Sequence, residues 1–267
     1  MTDLKQEQYV PRVEASECTA VLLAAGVGRR LGDSHEGPKL LLEFGGRTLL
    51  ERHIRALVEN GVPRLMITVG HEAQAIRDAV AALRARGDLG GLQIGFAHNP
   101  DYRDGSLISL HVQHEVMRSG GEIILMDGDV LYDARMIARL LASAHEGVLL
   151  LDREIEPGDE PVKICFDAEG TIVDFRKIPA NPYVRFGESV GFFRFSGAVA
   201  GALASRCAWY VAQGRVKTEY EEAIRDLLLA EPARFGAEDI SDLPWTEIDF
   251  EEDVTKARLV ILPQLER

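Results

Sequence analysis

The stretch Thr19-Ala20-Val21-Leu22-Leu23-Ala24-Ala25-Gly26-Val27-Gly28-Arg29-Arg30-Leu31, followed by Gly37-Pro38-Lys39, constrains this chain more than any other. An apolar, β-rich run that leads straight into glycines reads as a buried strand feeding a ligand loop. The small residues Ala24, Ala25, Gly26 and Gly28 let the backbone approach a ligand closely. Glycine also reaches the positive φ angles that turn successive N–H groups toward an anion. Arg29, Arg30 and Lys39 add cations suited to phosphate oxygens. A P-loop is excluded, because Arg29-Arg30 stands where that turn needs Gly-Lys-Ser/Thr. A dinucleotide fingerprint is excluded as well, because Leu31 occupies the place of its third glycine. What remains is a triphosphate loop of another kind.

Downstream, short β-rich runs alternate with helical patterns. Residues 20–24 precede a helix at 48–60, 64–69 one at 72–86, 92–97 one at 106–117, and 122–126 one at 134–144. Such alternation predicts an α/β fold with a mostly parallel, doubly wound sheet. Gly61 is expected to close the first helix and Asp133 to cap the fourth. After a strand at 147–151 the pattern changes. Residues 162–167 and 171–178 read as an inserted β-hairpin, and 188–195 as another strand. Helices at 197–213 and 219–229, a strand at 245–249 and a closing helix at 251–261 complete the reading. The 267 residues suffice for one large domain: an extension at 1–16, a half at about 17–150 that carries the triphosphate loop and a second half at about 151–267.

A net charge of −13 argues against a nucleic-acid partner. No apolar run is long enough for a membrane span, and Cys18, Cys165 and Cys207 follow no metal or redox spacing, so a reducing, cytoplasmic setting is expected. In an open parallel sheet, ligands gather beyond the carboxyl ends of the strands. Ile123-Ile124-Leu125-Met126-Asp127-Gly128-Asp129 is an apolar strand with two carboxylates at that end, a pattern suited to a hard cation such as Mg²⁺. In Trp245 to Asp253, residues Glu251, Glu252 and Asp253 fit a helix first turn. Glu247 and Asp249 alternate with Thr246 and Ile248 and can face the cleft together.

The signature Leu23-Ala24-Ala25-Gly26-Val27-Gly28-Arg29-Arg30, then Pro38-Lys39, resembles that of the nucleotidyltransferases that join a nucleoside triphosphate to a phosphorylated small molecule. Over the whole chain the resemblance is closest to cytidylyltransferases acting on phosphocholine and related phospho-alcohols or phosphonates. It is carried by Asn99-Pro100-Asp101-Tyr102 with Ser109-Leu110, by Met126 to Asp129, by Val190 to Phe195 and by Glu219 to Ile224. The resemblance implies a GT-A-like fold and Mg²⁺-dependent transfer of CMP from CTP with release of pyrophosphate. It implies Mg²⁺ on Asp129 and on Asp249 or Glu247, Asp249 being favoured. Arg30 would meet the β- and γ-phosphates, Lys39 and Lys177 the α-phosphate and acceptor, and Ser106 and Asp127 the nucleotide. Lys177 departs from the family's Glu-Lys-Pro and reads equally as a solvated surface residue. His35, His53 and His71 read as structural or surface residues.

Thirteen of the 18 aromatic residues follow position 160. Tyr183, Tyr220 and Trp245, with Glu219 and Glu222, are therefore candidates for holding an ammonium group in an acceptor-binding half at about 151–267, where the resemblance also places Glu188 on the strand that lines the acceptor pocket. Sugar-1-phosphate and inositol-1-phosphate transfer are alternatives within the family. Outside it stand a glycosyltransferase using Asp127-Gly128-Asp129 as its metal motif, and a nucleotide sensor without catalysis. Oligomeric state is left open, a homodimer included.

Overall fold

A computed structural model of the chain describes residues 18–28, 30–31, 37–155 and 161–266. Arg29, His35 and the extension at 1–16 lie outside them. At the centre is β1 (Cys18–Ala24), flanked in parallel by β4 (Arg64–Val69) and β6 (Glu122–Asp127), with β5 (Gln93–His98) beside β4. Period-2 alternation sends Ala20 and Leu22 into one apolar layer and Val21 into the other, so both faces of the strand are covered. The expected doubly wound arrangement follows from that two-sided burial.

A short antiparallel ribbon of β2 (Glu43–Phe44) and β3 (Arg47–Thr48) leads into helix α1 (Leu49–Glu59), which starts from a reciprocal cap. Thr48 Oγ1 accepts from the Glu51 amide at 3.1 Å, and Glu51 accepts from the Thr48 amide at 2.8 Å. It ends as expected at Gly61, whose φ of 72° lets its own amide and that of Val62 reach Val58 and Leu57. Helices α2 (Ala73–Arg86) and α5 (Arg135–Ala142) pack on the same face. Asp133 caps α5 from one position further out than a standard N-cap, accepting the Arg135 amide at 2.9 Å.

The helix expected at 106–117 is two pieces, α3 (Ser106–His111) and α4 (His114–Met117). Between them the buried Gln113 donates to Thr68 Oγ1 at 2.9 Å, which draws the chain into the sheet. Strand β7 (Val130–Tyr132) follows the acidic turn directly, and its three residues are too few for a periodic signal.

The second half departs from parallel pairing. Strand β11 (Arg185–Phe195), three residues longer than expected, runs antiparallel to β6 on one side and to β8 (Gly147–Asp152) on the other. Its first residues pair with the hairpin β9 (Lys163–Phe166) and β10 (Ile172–Arg176). Strand β12 (Phe235–Asp239), invisible in a Gly-Ala-Glu-Asp sequence, pairs parallel to β8. Helices α6 (Gly197–Ala212) and α7 (Tyr220–Ala230) cover the second face.

Strand β13 (Trp245–Glu247) stops two residues earlier than expected and pairs with β7. The closing helix is α8 (Glu251–Lys256), a wider π-type turn at Ala257–Ile261 and α9 (Leu262–Leu265). Among the described residues no helix is long and apolar enough to cross a membrane, and all three cysteines are buried free thiols.

Candidate active site

Beyond the carboxyl end of β1, the glycine turn makes a small pocket of about 90 Å³ lined by Leu23, Ala24, Gly26, Gly28, Lys39, Gly128 and Asp129. Gly28 has φ 66°, and a Cβ there would come within 3.1 Å of Lys39 Cγ, so glycine both permits the turn and leaves room for the lysine. Ala25 does not line this pocket. Its carbonyl accepts the His71 amide at 3.0 Å and ties the turn to β4.

The acidic turn after β6 is locked onto the glycine turn from beneath. The Gly128 amide donates to the Leu23 carbonyl at 3.0 Å, and any Cβ on Gly128 would press on that same oxygen. From below, the buried His53 places Nε2 3.2 Å from the Gly128 carbonyl. Burial lowers the His53 pKa to about 4, so the ring is neutral and Nε2–H is the donor. His53 thus supports the turn directly, beyond its expected packing role. Nothing in its local sequence signals this.

The Asp129 carbonyl accepts the Ile248 amide at 2.9 Å, which docks the end of β13 on the acidic turn. Oxygens of Asp129, Glu247 and Asp249 thereby lie within 4.8 Å of one another. Both acidic candidates from the second cluster arrive, where only one was expected to complete a metal site. Lys39 Nζ bridges two of the three carboxylates, 3.0 Å from Asp129 Oδ2 and 2.6 Å from Asp249 Oδ1, and Arg30 reaches Asp249 Oδ2 at 3.1 Å.

Burial pulls the Lys39 ammonium down, but the two carboxylates outweigh it and hold its pKa well above the ordinary value. Burial would raise the Asp249 carboxyl, yet Lys39 and Arg30 keep it low. Glu247 is exposed on its solvent side, but the crowding of protein around it, with the charges of Asp129 and Asp249, pushes its carboxyl upward. Three convergent carboxylates on the open side of a phosphate-type pocket suit a hard divalent cation. Mg²⁺ held there would neutralise charge on bound phosphate oxygens.

On the other side of this trio opens a cavity of about 570 Å³ that Glu247 and Asp249 also line. Lys177, Glu188, Tyr220 and Trp245 line it, and Trp245 is oriented by donating to Asp152 Oδ2 at 2.6 Å. Asp127 lines it too, rather than the glycine-turn pocket. Its Oδ2 accepts the Tyr220 hydroxyl at 2.7 Å, and burial, then Asp129 and Glu221, push its carboxyl well above the usual range. The loop carrying Lys177 is stapled to α7. Buried Asp174 accepts the amides of Ala180 and Asn181 at 2.6 and 2.8 Å and an Arg225 donor at 2.6 Å.

Four expected ligand contacts are placed elsewhere. Tyr183 is exposed and packs edge-on with Phe186 outside the cavity lining. Ser106 and Glu219 are joined to each other, with the Ser106 amide and hydroxyl both donating to Glu219 and the Tyr220 amide donating to Ser106 Oγ. This ties the start of α3 to the start of α7. Glu222 pairs with Arg176 at 2.9 Å. The carboxylate that α7 turns to the cavity is Glu221, which sequence reasoning missed, and burial pushes it up to about 7.

Comparison with known proteins identifies the family and the fold. The chain is 29% identical over 269 residues to a CMP-5'-(3-aminopropyl)phosphonate synthase of Streptomyces rubellomurinus, an alignment that covers 95% of this chain and 40% of that protein. It spans about half the length, or less, of the curated relatives it matches. Its fold is similar to that of the inositol-1-phosphate CTP transferase from T. maritima, with TM-score 0.74, 19% identity and coverage of 95% and 98% of the two chains. It is also similar to that of the CTP:phosphocholine cytidylyltransferase from Streptococcus pneumoniae, with TM-score 0.70, 20% identity and coverage of 90% and 96%. Residues 20–170 match the model of the MobA-like NTP transferase domain, and the chain belongs to that nucleotidyltransferase family.

Proposed function

We propose that this chain transfers a cytidylyl group from CTP to the phosphonate or phosphate oxygen of a small acceptor that carries a cationic amino or ammonium group. The acceptor oxygen attacks the α-phosphorus, the bond to the β-phosphate breaks, and pyrophosphate leaves. One observation carries the reading: Lys39 and the Asp129, Glu247 and Asp249 carboxylates stand at the junction of the glycine-turn pocket and the wide acidic cavity. A triphosphate in the first and an acceptor in the second would meet there. A phosphonate or phosphate is largely ionised near neutral pH, so alignment and charge neutralisation supply the catalysis and no strong base is needed.

Asp129, Glu247 and Asp249 would hold Mg²⁺, Arg30 and Lys39 would bind the triphosphate, and Lys177 would meet the acceptor. The relative named for a CMP-aminopropylphosphonate product and the carboxylates of the wide cavity support a cationic acceptor. Three buried free thiols and a triphosphate donor fit a cytoplasmic setting. A glycosyltransferase using Asp127 and Asp129 as a pair is disfavoured, since Asp127 is engaged by Tyr220 and stands outside the carboxylate trio. The test is a pyrophosphate-release screen of the four nucleoside triphosphates against aminoalkylphosphonates, phosphoethanolamine, phosphocholine, inositol 1-phosphate and sugar 1-phosphates. Turnover only with a sugar 1-phosphate and a triphosphate other than CTP would overturn the reading.

A further inference from the structure

Three acids flank Tyr220 at the start of α7, Glu219 before it and Glu221 and Glu222 after it, and two are committed: Glu219 to Ser106 and Glu222 to Arg176. Glu221 between them lines the wide cavity, and its Oε2 is buried with no hydrogen-bond partner among the described residues. A carboxylate oxygen in that state is unfavourable unless a donor arrives. The adjacent Tyr220 cannot supply one, because its single hydroxyl proton goes to Asp127 Oδ2.

We infer that Glu221 selects the acceptor by taking an N–H hydrogen bond from the primary ammonium of an aminoalkyl phosphonate or aminoalkyl phosphate. The inference rests on the cytidylyltransferase reading above and specifies its acceptor. A trimethylammonium group is also a cation, but it has no N–H and would leave Glu221 Oε2 unpaired. The three aromatic residues that line the cavity are already engaged: Tyr220 with Asp127, Trp245 with the acid Asp152, and Phe250 with the Arg30 guanidinium over its ring, while Tyr183 lies outside. The pocket asks for donors more than for methyl groups.

Three acceptors of nearly equal length separate charge from donor capacity. With CTP and Mg²⁺, 3-aminopropylphosphonate is compared with its N,N,N-trimethyl derivative and with butylphosphonate, which lacks the cationic group, and phosphoethanolamine is run beside them to distinguish phosphate from phosphonate sources. The expected kcat/KM for the primary amine exceeds each of the other two phosphonates by at least about tenfold, as for sites that hydrogen-bond a substrate group. In Glu221→Gln the amine-to-butyl ratio is expected to fall at least about tenfold, through the acceptor KM, with the CTP KM little changed. A trimethyl derivative as efficient as the amine, or a Glu221→Gln variant that lowers both acceptors equally, overturns the inference. Calorimetric binding of 3-aminopropylphosphonate and butylphosphonate to the wild-type protein and to Glu221→Gln gives an answer that does not require turnover. Tighter binding of the amine, lost in the variant, supports the Glu221 assignment even if no pyrophosphate is released, in which case the cytidylyltransferase reading alone has failed. Equal binding of the two ligands overturns the assignment.

Discussion

Replacing Lys39 by alanine tests the electrostatic centre of the site. Its Nζ is 2.6 Å from Asp249 and 3.0 Å from Asp129, and its side chain is only 15% exposed. Removing one partner of a buried ion pair costs about 3–5 kcal/mol, because the other charge stays behind unpaired. Here the two carboxylates keep 25% and 27% of their exposure and Arg30 still reaches Asp249, so solvent and Arg30 absorb part of that loss. About 2 kcal/mol of destabilisation is expected, which at this chain length is a fall of about 4–8 °C in Tm. Without the triphosphate, Lys39 Nζ bridges two of the three carboxylates that would hold a divalent cation. Millimolar Mg²⁺, at matched ionic strength, is therefore expected to raise the Tm of Lys39→Ala more than that of the wild type. The assay is thermal unfolding with and without Mg²⁺, paired with steady-state pyrophosphate release, in which kcat should fall more than the CTP KM rises. An unchanged Tm, or an Mg²⁺ shift no larger in the variant, would refute the competition between lysine and cation. A change in KM alone would make Lys39 a ground-state phosphate anchor.

Asp129→Asn is expected to abolish turnover while keeping the fold, since it removes one of three crowded carboxylates; activity within about tenfold of wild type, roughly 1.4 kcal/mol in barrier, would sink the metal assignment. Because the His53 pKa is lowered from 6.5 to about 4, the unfolded chain binds the extra proton first and stability is lost as pH falls below about 6.5. Between pH 7 and 5 that linkage amounts to about 2 kcal/mol, and urea unfolding of His53→Gln should lack this component of the slope; parallel pH profiles for the two proteins would count against it. Gly191 has φ 75° in the bulge of β11, and an added Cβ would run into the Asp127 carboxylate, so Gly191→Ala should lose about 2 kcal/mol or more and impair turnover, whereas a Tm within about 2 °C of wild type would show that Asp127 yields freely.

Much of the site was legible before any tertiary structure. The β1 run, the glycine turn, Lys39 and the Asp127-Gly128-Asp129 turn are local patterns in which residue type follows backbone geometry: apolar alternation for a strand covered on both faces, glycine where φ is positive, acids at a strand tip. The same holds for the end of α1, which Gly61 closes at a positive φ. These depend on residues a few positions apart, and the chain determines them by itself.

What only the tertiary structure decided is which side chain of an already recognised segment faces the ligand. Glu219, Glu221 and Glu222 share one helix turn, and helical periodicity cannot say which of them meets solvent, a neighbour or a cavity. The docking of α3 takes Glu219 through Ser106, the hairpin takes Glu222 through Arg176, and Glu221 is left facing the wide cavity. Likewise Glu247 and Asp249 both reach Asp129 because β13 pairs with β7 and its end hydrogen-bonds the acidic turn, a contact made across more than a hundred residues of chain. Tyr183 leaves the pocket because its loop ends outside the cavity wall. His53 becomes part of the site because α1 packs beneath the turn that holds Asp129. Such long-range packing chooses among side chains that local sequence treats as equivalent, and the specificity of this site is set there.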